Sequence, residues 1–217
     1  MNLVAGLDDA GRGAIIGPLV IAGILVREDE IKMLRDVGVK DSKLLSALRR
    51  EVLFEEISRI SRKIEYEMLS TRLVDTYVKR RKKYTKLNLL EAEAMASIIN
   101  RLKPNIAYVD ASDVSTERFK KQIEDNLVKN VRIVSTHKAD RIYVVVSAAS
   151  IIAKVIRDRE VSKIKKILGD FGSGYPSDQR TIRVIRDWVK NYGEIPPYTR
   201  LSWRTWKKIS QMKLDEI

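Results

Sequence analysis

The chain contains no cysteine, which excludes disulfide bridges, thiolate metal sites and cysteine nucleophiles by counting. The cytosol is the expected compartment. No apolar run approaches the roughly 18 residues of a membrane span, and the opening Met1-Asn2-Leu3-Val4 carries neither a basic stretch nor the long apolar core of an export signal. A soluble, unexported protein is expected. Glutamine is scarce while Lys, Arg and Ile abound, a balance that fits a thermophilic source. No low-complexity segment and no internal repeat interrupts the chain.

What is present is a core-forming chain with a strong charge bias. At 217 residues and 44% hydrophobic content, the sequence supports one main core with a modest appendage. Lys and Arg number 42 against 29 Asp and Glu, a net charge of +13. A charge-rich surface can serve solubility or ion-pair networks, but neither accounts for the sign. A polyanionic partner, nucleic acid first, does.

The pattern along the chain predicts a mixed sheet. Leu3 to Leu7 and the β-branched-rich Pro18 to Val26 read as two strands forming a hairpin around a Gly-rich turn at 11–17. Helical spacing over Ser46 to Lys63 is followed by alternation at Ile64, Tyr66 and Met68, then by helices at Thr71 to Val78 and Leu87 to Leu102. Strands at Ile106 to Val109 and Val131 to Ser135 flank a helix capped by Ser115 or Thr116 and running through Leu127. One long helix is expected from Asp140 through Leu168, with two more at Asp178 to Tyr192 and Ser202 to Met212. Hairpin-joined strands first and helix-crossed strands later imply a five-stranded α/β sheet with helices on both faces. The expected division is a catalytic domain over 1–170 and a small C-terminal helical appendage over 171–217.

The chemistry centres on acids at strand ends. Asp8 and Asp9 close the first strand and run into Gly11-Arg12-Gly13, where glycines admit backbone N–H groups to an anion and Arg12 adds charge. Adjacent carboxylates at a buried strand end repel each other and lose solvation unless a cation compensates them. Asp110 ends a later parallel strand and Asp140 opens a helix, so the four can converge. Hard oxygen donors suit Mg²⁺ or Mn²⁺, and two such ions about 3.5–4 Å apart activate water for phosphodiester hydrolysis. A lone Asp at a strand end is more often a turn or helix cap, and Asp113 fits that role. His137 reads as a solvent-facing loop residue rather than a proton shuttle, and Lys79-Arg80-Arg81-Lys82-Lys83 as diffuse phosphate attraction. Trp203 and Trp206 read as anchors of the appendage.

Gly6-Leu7-Asp8-Asp9-Ala10-Gly11-Arg12-Gly13, Asp41-Ser42-Lys43, Tyr108-Val109-Asp110, Lys138-Ala139-Asp140 and Ser147 to Lys154 with Arg157-Asp158 fall in one order. Together they resemble type 2 ribonuclease H, ribonuclease HII, over residues 3 to about 206. The Gly172 to Asp178 segment is similar to its single-chain archaeal branch. The resemblance implies a ribonuclease H-like fold, two-metal hydrolysis of RNA paired to DNA, and incision 5′ of ribonucleotides embedded in duplex DNA. Products would carry 3′-hydroxyl and 5′-phosphate ends. By motif match, Asp8, Asp9, Asp110 and Asp140 are the metal-binding catalytic acids. Gly11, Arg12 and Gly13 would read the ribose 2′-hydroxyl, Tyr175 would stack near the junction, and Ser42, Lys43 and Lys138 would approach the backbone. The second acid of that family is normally Glu. Asp9 is one methylene shorter, about 1.5 Å of reach, so reduced or metal-shifted turnover is expected. The rival readings are a hybrid-binding module with an impaired acid cluster and another nuclease or strand-transfer enzyme on the same sheet. Gln211 and Leu214 hint at a sliding-clamp tail without its aromatic pair, and a monomer is the expected state.

Overall fold

In the computed structural model, described for residues 2–39, 45–79 and 86–206, the hairpin forms as expected. Strand β1 (Leu3–Ala10) pairs antiparallel with β2 (Leu19–Arg27), placing Asp8 opposite Ala22 and Asp9 opposite Ile21. A short 3-10 turn (Glu28–Glu30), α1 (Ile31–Asp36) and α2 (Ala47–Ile60) lead to β3 (Lys63–Leu69), which adds to β2 antiparallel. Helices α3 (Thr71–Lys79) and α4 (Lys86–Leu102) precede β4 (Ile106–Asp110), then α5 (Thr116–Glu124) and β5 (Arg132–Thr136). The sheet order is β3-β2-β1-β4-β5, with β4 and β5 parallel to β1. The chain ends its regular structure with α6 (Ala139–Ile142), α7 (Val144–Leu168) and α8 (Gln179–Tyr192).

β1 is central, and both its faces are covered, which is why it reads as a nearly continuous apolar run. Ala5 and Leu7 join the core with Leu90, Met95 and Ile98 of α4 and Phe119 of α5. Val4 and Ala10 join the opposite core, with Leu53 and Ile57 of α2 and Val146, Ala149's neighbour Ala148 and Ile152 of α7. Gly6 permits the closest approach between layers: a Cβ there would lie 2.2 Å from the Val145 carbonyl oxygen. The helix backbone therefore rests directly on β1. A third cluster joins Ile15 and Ile16 of the turn to Val161, Ile164 and Leu168 of α7, to Phe171 in the loop after it, and to Ile185 of α8, with Trp206 against it. Trp203 packs on the α4 side.

Several elements differ from the expectation, β1 among them: it runs three residues past Leu7 to Ala10, so Asp8 and Asp9 lie within the paired strand. The helix expected from Asp140 to Leu168 is broken at Tyr143, whose φ of −113° and ψ of 114° are extended. Tyr143 packs on Tyr108 of β4 with ring centroids 4.2 Å apart, and α7 starts at the next residue, Val144. α5 stops at Glu124, short of Leu127. The turn at Glu28 and α1 were not expected, because a six-residue helix is too short to show a period. The proposed last helix runs beyond the described residues. Among those residues, no helix is long and apolar enough to cross a membrane.

Candidate active site

The pleat decides where each acid goes. Side chains alternate across a strand, so Asp8 faces α7 with Val4 and Ala10, while Asp9 faces α4 with Ala5 and Leu7. Asp8 is buried, accepts the Asp9 N–H at 2.8 Å, and is held by the Ser150 hydroxyl. Burial, then repulsion from Asp9 and Asp110, pushes its carboxyl well above the usual range. Asp9, only partly covered, is pushed up to about 7 by withdrawal from water and by Glu91, while Arg12 and Lys154 pull the other way.

The parallel β1–β4 pairing brings Asp110 to the same edge of the sheet, where its Oδ1 accepts the Ala139 N–H at 2.9 Å. That bond ties β4 to the start of α6, so the next residue, Asp140, is buried beside it. Asp8, Asp9 and Asp110 thus form one repelling set with Asp140 adjacent. Among the described residues, no three acidic or histidine side chains are drawn together tightly enough to hold an ion without rearrangement. The donor chemistry nevertheless fits a divalent cation, because the repulsion and burial that raise Asp8 and Asp9 are what such a charge relieves.

The glycine turn lies next to these acids. Gly11 has φ of 89°, and a Cβ there would fall 2.5 Å from Arg157 Nε, so only glycine fits. Arg12 does not project freely. Its Nη1 donates to the Ser112 carbonyl at 2.6 Å, its Nη2 to Asn88, and its Nε lies 3.4 Å from Glu91. Gly13 is exposed, and the Tyr175 ring lies 3.7 Å from where its Cβ would be. Tyr175 is brought there because Gly174 O accepts from Ile15 N and Ile16 N at 2.8 and 3.1 Å, and Arg157 sits 4.8 Å over the ring. Lys138 is exposed just before α6, in a left-handed conformation with φ of 56°. His137 is exposed on the same loop. Asp113 is structural: buried, it accepts from Asn88 Nδ2, Ser115 N and Arg118. Ser42 and Lys43 lie outside the described residues.

Sequence reasoning missed Glu91. Its side chain is fully buried with Arg12 Nε 3.4 Å away, and burial pushes it up to about 7 against the pull of Arg12 and a hydrogen bond from Ser112. The available signal was periodicity, since Glu91 shares a helix face with Ala94, Met95 and Ile98. Ser150 and Lys154 were present only as parts of a motif. Arg200, described below, had no sequence signal.

A mixed five-stranded sheet of this order with helices on both faces is the ribonuclease H-like fold. The family description "Ribonuclease HII" matches residues 5–206. Ribonuclease HII of Pyrococcus abyssi is 45% identical over 96% of this chain and 91% of its own length. The crystal structure of ribonuclease H2 from Pyrococcus horikoshii superposes with a TM-score of 0.89 at 44% identity, covering 97% of this chain and 98% of that one. The PCNA:RNase HII complex from Archaeoglobus fulgidus has a chain that matches at 0.86 and 44% identity, over 99% and 100%. The chain belongs to the ribonuclease HII family, and is therefore a ribonuclease.

Proposed function

We propose that the protein hydrolyses the RNA strand of RNA–DNA hybrids and incises 5′ of ribonucleotides embedded in duplex DNA, leaving 3′-hydroxyl and 5′-phosphate ends. The observation that carries this reading is the repelling set Asp8, Asp9 and Asp110 beside a glycine turn touched by Tyr175. Asp8, Asp9, Asp110 and Asp140 would hold two divalent ions, Mg²⁺ or Mn²⁺. Bound there, the ions would supply an acidified water and neutralise charge on the leaving oxygen. Asp8 and Asp110 face one another electrostatically across β1 and β4, and Ser150 and Ala139 N–H hold their orientation. Lys154 offsets the negative charge near Asp9.

Gly11, Arg12 and Gly13 would contact the ribose and flanking phosphate. Only the 2′-hydroxyl marks RNA at a single sugar, and an exposed glycine turn lets backbone groups reach it. Arg12, tied to Glu91, Asn88 and Ser112, then acts by stiffening that turn. Tyr175 offers a ring for stacking at the junction, and Lys138 an exposed cation for the backbone. Ser42 and Lys43 would approach the same backbone.

We also propose that 1–170 act as the catalytic unit and 171–217 as an appendage, that the protein is a cytosolic monomer, and that a sliding clamp recruits it through a tail including Gln211 and Leu214. A PCNA complex of a relative supports the last point.

A second reading is favoured by Asp9, whose side chain is short and turned toward Glu91: a hybrid-binding protein with impaired cleavage. End-labelled duplex DNA carrying one ribonucleotide separates the two. Incision at its 5′ side in Mg²⁺ or Mn²⁺, abolished by chelator, is expected. Retention of the duplex without a cut in either metal would establish the second reading.

A further inference from the structure

Arg200 is the largest side chain that is fully buried in the described structure, and it has no ion pair among the described residues. Asp75 and Glu91 favour its charge from beyond ion-pair distance, and burying a guanidinium that way is costly unless its donors are used. They are used on one loop. Nη1 donates to the Arg12 carbonyl at 2.7 Å, while Nε and Nη2 donate to the Gly17 carbonyl at 3.2 and 3.0 Å. The planar fork therefore spans the glycine turn from its second residue to its last.

The backbone around Arg200 supports the same loop. Arg200 N donates to Ile15 O at 2.8 Å, Gly17 N donates to Tyr198 O at 3.0 Å, and Thr199 bridges Ile16. Trp203 lies beneath the guanidinium at 4.9 Å and donates its indole N–H to Gly13 O at 3.3 Å. Asp75 of α3 holds this segment in turn, accepting from Leu201 N, Ser202 N and the Ser202 hydroxyl at 2.8, 2.9 and 2.6 Å.

A trans peptide is planar, with its C=O and N–H pointing in opposite directions. Fixing the Arg12 carbonyl on a buried guanidinium therefore turns the Gly13 N–H away from the interior. Gly13 is exposed and borders the Tyr175 ring, so that donor faces the substrate side. We propose that Arg200 is a positioning residue, which orients the Arg12–Gly13 peptide and aims the Gly13 N–H at the ribose of a bound ribonucleotide. This rests on the reading of the glycine turn as the ribose contact. A lysine in its place would keep the charge but could not hold both carbonyls, because one ammonium lacks the spread of the fork.

The test compares wild type with Arg200→Lys and with Trp203→Phe, which keeps the ring but removes the bond to Gly13. Hydrogen exchange of the 11–17 segment in the free protein reports the clamp. Binding in Ca²⁺, without cleavage, to duplexes with one ribonucleotide or with none reports ribose reading. Arg200→Lys is expected to speed exchange in that segment by roughly 10-fold or more, and to bring the two affinities near parity while all-DNA binding holds. Trp203→Phe, with a native melting curve, is expected to fall between. Unchanged exchange in Arg200→Lys overturns the clamp. Faster exchange with the ribonucleotide preference intact overturns the aim at ribose. If wild type itself shows no preference, the reading of the turn fails, and the exchange measurement alone judges Arg200.

Discussion

Asp9 illustrates how one methylene is read by its surroundings. It lies on the α4 face of β1, repelled by Glu91 and drawn by Arg12 and Lys154. A glutamate there would carry its carboxylate about 1.5 Å further from the backbone. Asp9→Glu is expected to raise turnover in Mg²⁺ by on the order of 10-fold, with a smaller gain in Mn²⁺. Equal rates for both proteins in both metals would show that the reach of this side chain is immaterial. The acids were legible because charged residues at the end of an apolar strand break its pattern. Tyr175 was legible only through a motif. Glu91 and Arg200 were not, since burial of a charge depends on partners far away: Arg12 is 188 residues from Arg200.

At the level of elements, the closest tolerance lies between β1 and α7. A Cβ on Gly6 would meet the Val145 carbonyl at 2.2 Å, and that carbonyl belongs to backbone that cannot swing aside. Gly6→Ala is expected to destabilise by about 3 kcal/mol or more, with Asp8 displaced from Ser150. Chemical denaturation, paired with cleavage rates, measures both. The strands were readable from sequence because their two-residue alternation and apolar runs are local properties. The break between α6 and α7 was not, because it depends on Tyr143 packing on Tyr108 of another element. A second prediction concerns the link before β3, where Glu30 accepts from Arg62 at 2.6 Å and from Arg27 N at 2.9 Å. The Arg62 hydrogen bond, foremost, holds its carboxyl down at about 2, against an ordinary 4.5. A depressed carboxyl stabilises the fold above its ordinary value and loses that contribution as pH falls toward the lower one. Glu30→Gln should therefore melt earlier than wild type at neutral pH, with the gap closing between pH 4.5 and 2. A gap that persists at the acid end would assign the effect to packing.

For the whole molecule, the net charge of +13 makes duplex binding an exchange of cations for protein. Affinity for an uncleaved duplex is expected to fall by ~100-fold or more between about 50 and 200 mM salt, along a straight line in logarithmic coordinates. A flat response in a filter-binding or anisotropy titration would remove phosphate contact as the main source of affinity. The sign of that charge could be read from composition, but its placement could not, because many cations are spent on internal contacts such as those of Arg12, Arg101 and Arg118. The tie between Arg200 and the glycine turn also has a consequence for biogenesis. Ribosomes add roughly 5–20 residues per second, so about 10–40 s separate the synthesis of residue 12 from that of residue 200. Through that interval the nascent chain can pair β1 with β2 yet cannot complete the turn beside its acids. The glycine turn is thus expected to settle only after the segment that holds Arg200 has been made.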